Sequence, residues 1–150
     1  MTVDFAWGKS PSLKVATIAW RGPWSERKIR SQFERLERWA KARRLRTGRW
    51  IFREPGEQRW EVGLELRGRA RSSDGVRLRT LPAATFARVV FDPEQVSPRV
   101  VYHGLSDWLR WRRKDKEIRA VLSTREIYSG NPWTSRKAWS RTEVQFLVRK

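Results

Sequence analysis

Apolar positions along the chain alternate between a strand-like and a helix-like period, and the alternation runs through two similar halves. Leu13–Trp20 is an apolar stretch that predicts a strand, closed by the turn Arg21-Gly22-Pro23-Trp24. Ser25 is placed to cap a helix. Ile29, Phe33, Leu36 and Ala40 then recur at i, i+4, i+7 and i+11, which is one face of that helix. Gly48 is positioned to end it. Trp50-Ile51-Phe52 predicts a short strand and Glu54-Pro55-Gly56-Glu57 a turn. Trp60, Val62, Leu64 and Leu66 alternate with Glu61, Gly63, Glu65 and Arg67, the pattern of a half-buried strand with its carboxylates on the wet face. Arg71-Ser72-Ser73-Asp74-Gly75 is the most loop-like stretch and falls at the middle of the chain.

The second half repeats the order. Val76–Phe91 reads as a strand kinked at Leu81-Pro82-Ala83, followed by the turn Asp92-Pro93-Glu94. Ser97-Pro98 combines an N-cap residue with proline at the first helical position. Val101, Leu105, Trp108, Leu109 and Arg112 continue one side of the second helix. Val121–Tyr128 is a strand, Ser129-Gly130-Asn131-Pro132 a turn, and Thr142–Val148 a last strand with Val144, Phe146 and Val148 on one face. The chain therefore reads as one α+β domain over 1–150. It is a tandem β-α-β-β duplication with pseudo-twofold symmetry, with unit one at about 13–71 and unit two at about 76–149. The apolar faces require a shared antiparallel sheet with the two main helices on one side. A groove between the units is the natural place for a ligand.

Composition narrows the function. Lys and Arg number 34 against 16 Asp and Glu, giving a net charge of +18, and 26 of the basic residues are Arg. The absence of Cys excludes thiolate metal sites, iron–sulfur clusters and cysteine nucleophiles, and a single His makes a histidine-built metal site or catalytic triad improbable. No metal and no cofactor is expected. No apolar run approaches the length of a membrane span and the first residues lack an apolar signal core, so a cytoplasmic protein with no membrane partner is expected, as a monomer or weak homodimer. The charge suits either a nucleic-acid partner or a heat-adapted, Arg-rich surface. The nucleic-acid reading falls on Arg110, Arg112, Arg113 and Lys114 at the end of the second helix, where cations also complement the helix dipole. The short string Arg67-Gly68-Arg69-Ala70-Arg71 is similar to RG-rich RNA-binding segments. A charge of +18 also disfavours gathering cationic ligands, which leaves a neutral or anionic one open.

Glu126 is the residue best placed for chemistry. It shares a strand face with Thr124 and Tyr128, where a carboxylate beside a phenol could bind a cation, orient a hydroxyl or activate water. The alternative is a solvent-facing or Arg-paired side chain. Glu143 carries the same ambiguity and shares a face with Gln145 and Leu147. Trp39, Trp50 and Trp60 belong to apolar faces and read as core. Trp24, Trp133 and Trp139 fall in turns and loops, where they either seal a core edge or line a pocket for a flat ligand. Trp111 reads as a surface aromatic shielded by basic stems, and His103 as a structural histidine.

Four strings, in this order and spacing, resemble the GyrI-like small-molecule-binding domain, the effector-binding domain of some AraC-type and MerR-type transcription regulators. They are Val15–Trp24 with its R-G-P-aromatic turn, Thr85–Val90 after a leucine-proline step, Arg125-Glu126-Ile127-Tyr128 through Pro132, and Thr142–Val148. The resemblance implies a stand-alone binder of small aromatic or amphipathic, drug-like compounds, in a cleft where Glu126 is the anchor. It places Trp24, Tyr128 and Glu143 on the wall, with Trp133 and Trp139 as further candidates. Two alternatives stand beside it: a basic nucleic-acid or DNA-gyrase-associated module, and a hydrolase in which Glu126 helps water attack a reactive small molecule.

Overall fold

The computed structural model describes residues 3–150. Its elements in chain order are β1 (Ala6–Ser10), β2 (Leu13–Arg21), α1 (Glu26–Ala42), β3 (Thr47–Gly56), β4 (Arg59–Leu66), β5 (Arg77–Leu81), β6 (Ala84–Phe91), α2 (Pro98–Lys114), β7 (Ala120–Tyr128), α3 (Arg136–Trp139) and β8 (Thr142–Arg149). The strands form one antiparallel sheet in the order β1-β6-β8-β7-β3-β4-β2-β5.

Local chemistry accounts for the helix starts. The Ser25 hydroxyl accepts from the Lys28 amide, while Ser97 relies on Pro98 and makes no side-chain cap. The end of α1 departs from the glycine expectation. The helix stops at Ala42, and Arg44 takes the left-handed conformation at φ 52°. The amides of Arg43 and Leu45 both return to the Ala40 carbonyl, so backbone bonding closes the helix six residues before the first glycine. Gly48 already lies in β3, which runs on through Pro55 and turns at Glu57-Gln58 with Gln58 at φ 53°.

Residues 77–91 form two strands rather than one kinked strand, and β1 was not apparent from the apolar pattern. The pairing explains both. Ser10 faces Ala84 and Leu13 faces Leu81, so a single register offset continues from the β1–β6 pair into the β2–β5 pair. Residues 6–21 and 77–91 are thus two long antiparallel segments, each interrupted at a proline-containing link, Pro11-Ser12 and Pro82-Ala83. Proline cannot donate to the ladder. A link of two residues spans only about 10 Å. It nonetheless joins strands at opposite ends of the pairing order, so the sheet curls until its two ends meet.

The outer face of the curl carries both long helices. Ile29, Phe33 and Leu36 of α1 pack with Trp50, Phe52, Val62 and Leu64, and Val101, Leu105 and Leu109 of α2 with Ala87, Val89, Val144 and Phe146. Val62, Phe52, Glu126, Val144 and Val89 are successive cross-strand partners, which puts both clusters on the same face. β3 and β7 meet through three residue pairs between the clusters. The inner face holds a small cluster of Leu13, Val15, Ile51, Leu81 and Ile127. Around it lies a charged layer: Glu61 joins Arg53 and Arg79, Glu65 takes Arg49 at 2.6 Å, and buried Arg125 donates to Gln145 at 2.7 Å. Glu61 was expected on a wet face and is instead 5% exposed, because the curl turns that face inward. The β1–β6 pair is also tightly packed, since Gly8 and Phe86 are direct cross-strand partners. A Cβ on Gly8 would lie 2.4 Å from the Phe86 ring, so Gly8→Ala is expected to lower stability by about 1–3 kcal/mol in a denaturant titration.

Candidate functional site

Between α1 and the start of α2, over the β3–β7 seam, the outer face opens into a cleft of about 570 Å³. Its walls are aromatic because each element brings inward-facing apolar positions to this point: Phe33 from α1, Phe52 from β3, Phe91 from β6 and Trp133 and Trp139 from the segment between β7 and β8. Phe33 stacks on Trp50 at 5.3 Å between ring centroids and meets Trp133 edge-on at 6.3 Å. Asn131 fixes the Trp133 loop. Its side-chain oxygen accepts from the Trp133 amide at 3.0 Å and its amide donates to Glu37 of α1 at 2.6 Å.

Glu126 and Tyr128 stand on the floor, as strand alternation places them. The Tyr128 hydroxyl donates to one Glu126 oxygen, and the Tyr102 hydroxyl to the other at 2.9 Å. Tyr102 was missed in the sequence. The signal was present, since Tyr102, Leu105 and Leu109 follow helix spacing beside the recognised apolar stripe. Glu126 remains half-buried and also borders a smaller cavity of about 250 Å³, walled by Trp60, Tyr102 and Thr124.

Burial raises the Glu126 pKa above the ordinary carboxylate value, and the two tyrosine hydrogen bonds oppose the rise. Burial and the neighbouring carboxylate raise both tyrosines, which therefore stay protonated donors. A folded-state carboxylate with a raised pKa binds its proton more tightly than the unfolded chain does. Its contribution to stability is complete below the unfolded value of 4.5 and is lost as pH rises through the folded pKa. Glu126→Gln keeps a neutral side chain at all pH values. The unliganded variant is expected to melt higher than wild type near pH 8, with the difference closing by about pH 4 in a thermal-denaturation series.

The charge lining the cleft is opposite in sign to that of the chain. Glu26 and Glu126 line it, and among the described residues no Lys or Arg does. The expectation that +18 works against cationic ligands took the charge as uniform, whereas the fold keeps the cations away from this wall.

The remaining candidates separate. Trp24 stands at the mouth, 64% exposed, edge-on to Trp60 at 5.4 Å. Gly22 at φ 144° gives the turn its shape, and its carbonyl accepts from the Trp60 indole at 2.9 Å. Trp139, at the end of α3, borders the cleft and is partly exposed. Glu143 is not a wall residue. It projects from the opposite face of β8, where it joins Arg88 at 3.3 Å and accepts from Gln145 at 2.5 Å. Strand alternation decides this, because Val144 and Phe146 hold the helix side. Arg110, Arg112, Arg113 and Lys114 lie in the last turns of α2, at the end opposite Pro98, which borders the cleft. Arg110 pairs with Asp107 at 3.3 Å, while Arg112 lies over Trp108 and Lys114 over Trp111. Among the described residues no three His, Cys, Asp or Glu side chains group as metal ligands, and no helix is long and apolar enough to cross a membrane.

The curled eight-stranded antiparallel sheet with helices over a central cleft is an α+β fold that solved structures share. EcmrR in its DNA complex superposes with a TM-score of 0.76 at 21% identity over 99% of this chain. This chain spans 58% of that protein. The EcmrR C-terminal domain alone gives 0.75 at 18% identity, covering 100% of this chain and 99% of that one. SAV2435 bound to tetraphenylphosphonium gives 0.56 at 11% identity, covering 97% and 94%. No family model and no curated protein matches the sequence.

Proposed function

We propose that this domain is a receptor for aromatic or amphipathic organic cations, which enter the cleft and take Glu126 as their counter-charge. The observation that carries the reading is a cleft walled by aromatic rings and lined, among the described residues, by two carboxylates and no Lys or Arg, in a chain of net charge +18. A carboxylate on an apolar floor has few water partners, so an organic cation gains both an ion pair and ring faces there. Tyr102 and Tyr128 hold both carboxylate oxygens in place, and Trp24, Trp133 and Trp139 offer indole faces at the mouth and wall. SAV2435, which has the same fold, is solved with tetraphenylphosphonium, and EcmrR with DNA. Both favour an effector-binding role of the kind found in transcription regulators. The strand order supports the duplication as well: β2-β4-β3 in one half answers β6-β8-β7 in the other, each with its helix after the first strand.

Titration with tetraphenylphosphonium tests the reading. The expected result is saturable quenching of tryptophan fluorescence, with stabilisation of about 2.7 kcal/mol when free ligand reaches one hundred times Kd. Unchanged fluorescence and an unchanged Tm at millimolar ligand would overturn it.

A further inference from the structure

A second cavity, of about 620 Å³, lies far along the pairing order from Glu126, between β5 and the segment that follows β4. Its lining contrasts with that of the cleft. Lys14, Arg69, Arg71 and Arg79 border it beside Leu66 and Leu78, and among the described residues no Asp or Glu does. Arg79 leans on Glu61, but Lys14, Arg69 and Arg71 form no ion pair among the described residues. Arg69 and Arg71 belong to the Arg-Gly-Arg-Ala-Arg string, which the cleft does not use. We infer that this groove binds the phosphodiester backbone of nucleic acid, with Lys14, Arg69 and Arg71 as the phosphate contacts.

Three of the four cations are arginines, whose planar forks match phosphate oxygens two at a time. Gly68 has open space where a Cβ would project, so a backbone as bulky as a phosphodiester can approach the loop closely. Among the described residues no aromatic side chain borders the groove, so bases find no stacking platform and recognition is independent of sequence. An acidic peptide is the weaker fit. It would be expected to add as a strand along β5, which ends the pairing order, but the Ser72 hydroxyl already accepts from the Leu78 amide at 3.0 Å and takes one of the donors such a strand would need.

The test is anisotropy of the full chain with a labelled 20-nucleotide single strand and the matching duplex, between about 50 and 200 mM salt. Binding is expected to weaken steeply with salt, by roughly 0.7 log–log units per phosphate for a single strand and 0.9 for a duplex. Replacing Lys14, Arg69 and Arg71 together by Gln is expected to weaken binding at least about tenfold at low salt and to lower the slope by about two. These side chains are exposed, so the Tm should hold. Glu126→Gln should bind nucleic acid as wild type does, which keeps this result separate from the cleft reading. Joint replacement of Arg110, Arg112 and Arg113 by Gln should change affinity less than about twofold. Preference for one strand or two identifies the form of nucleic acid, and either upholds the site. The inference falls if no binding is seen at 50 mM salt, if the groove variant binds as wild type does, or if polyglutamate competes as well as the oligonucleotide at equal charge.

Discussion

Glu126→Gln should weaken tetraphenylphosphonium binding by roughly 30- to 300-fold, and should leave a neutral triaryl compound of similar size within about twofold of wild type. A desolvated charge pair that loses one partner costs about 2–5 kcal/mol, and each 1.4 kcal/mol is tenfold in affinity. The lower part of that range applies because Glu126 is only half-buried. The substitution keeps the shape of the floor, and the new amide can still accept from one tyrosine hydroxyl and donate to the other. The neutral compound controls for the aromatic walls. Calorimetry on both ligands decides the matter: equal losses for charged and neutral compounds would mean that Glu126 shapes the cleft and does not neutralise its occupant. The same substitution is expected to raise the stability of the unliganded protein at neutral pH. Weaker binding together with a higher Tm would mark a carboxylate kept buried for a ligand's benefit.

Phe33→Ala should cost about 3–5 kcal/mol of folding free energy, and roughly 10 °C or more in Tm for a chain of this length. Phe33 is 1% exposed and touches Trp50, Phe52 and Trp133, so its removal leaves a void that three large rings cannot all collapse into. It also forms part of the cleft wall, so whatever ligand binding survives should be loosened too. Phe33→Leu separates the two effects by restoring most of the volume without the ring. A loss below about 1 kcal/mol for the alanine variant, measured by denaturant unfolding, would show that the α1 core is not packed around this residue.

Much of this architecture could be read from periodicity. The α1 stripe, the alternation in β4 and the shared face of Glu126 and Tyr128 need only the repeat lengths of helix and strand. Three features were not legible, each for a physical reason, and one legible position was misplaced. The wet-face reading of Glu61 failed because strand alternation tells two faces apart but not which one a curved sheet encloses. β1 escaped notice because Ala6–Ser10 has little apolar alternation of its own and is fixed by its pairing with β6. Glu143 was carried to the cleft by resemblance, although its own alternation with Val144 and Phe146 already put it on the far side. The cation-free wall of the cleft is a property of tertiary placement, which a summed charge cannot reveal.

The two proline-broken segments have one further consequence. The strand that opens the first half is lent to the second, through β1 on β6, and the strand that opens the second half is lent back, through β5 on β2. Neither half can complete its own border without its neighbour's arm. A nick in the central connection would leave two pieces still clasped, and the halves must mature as one body.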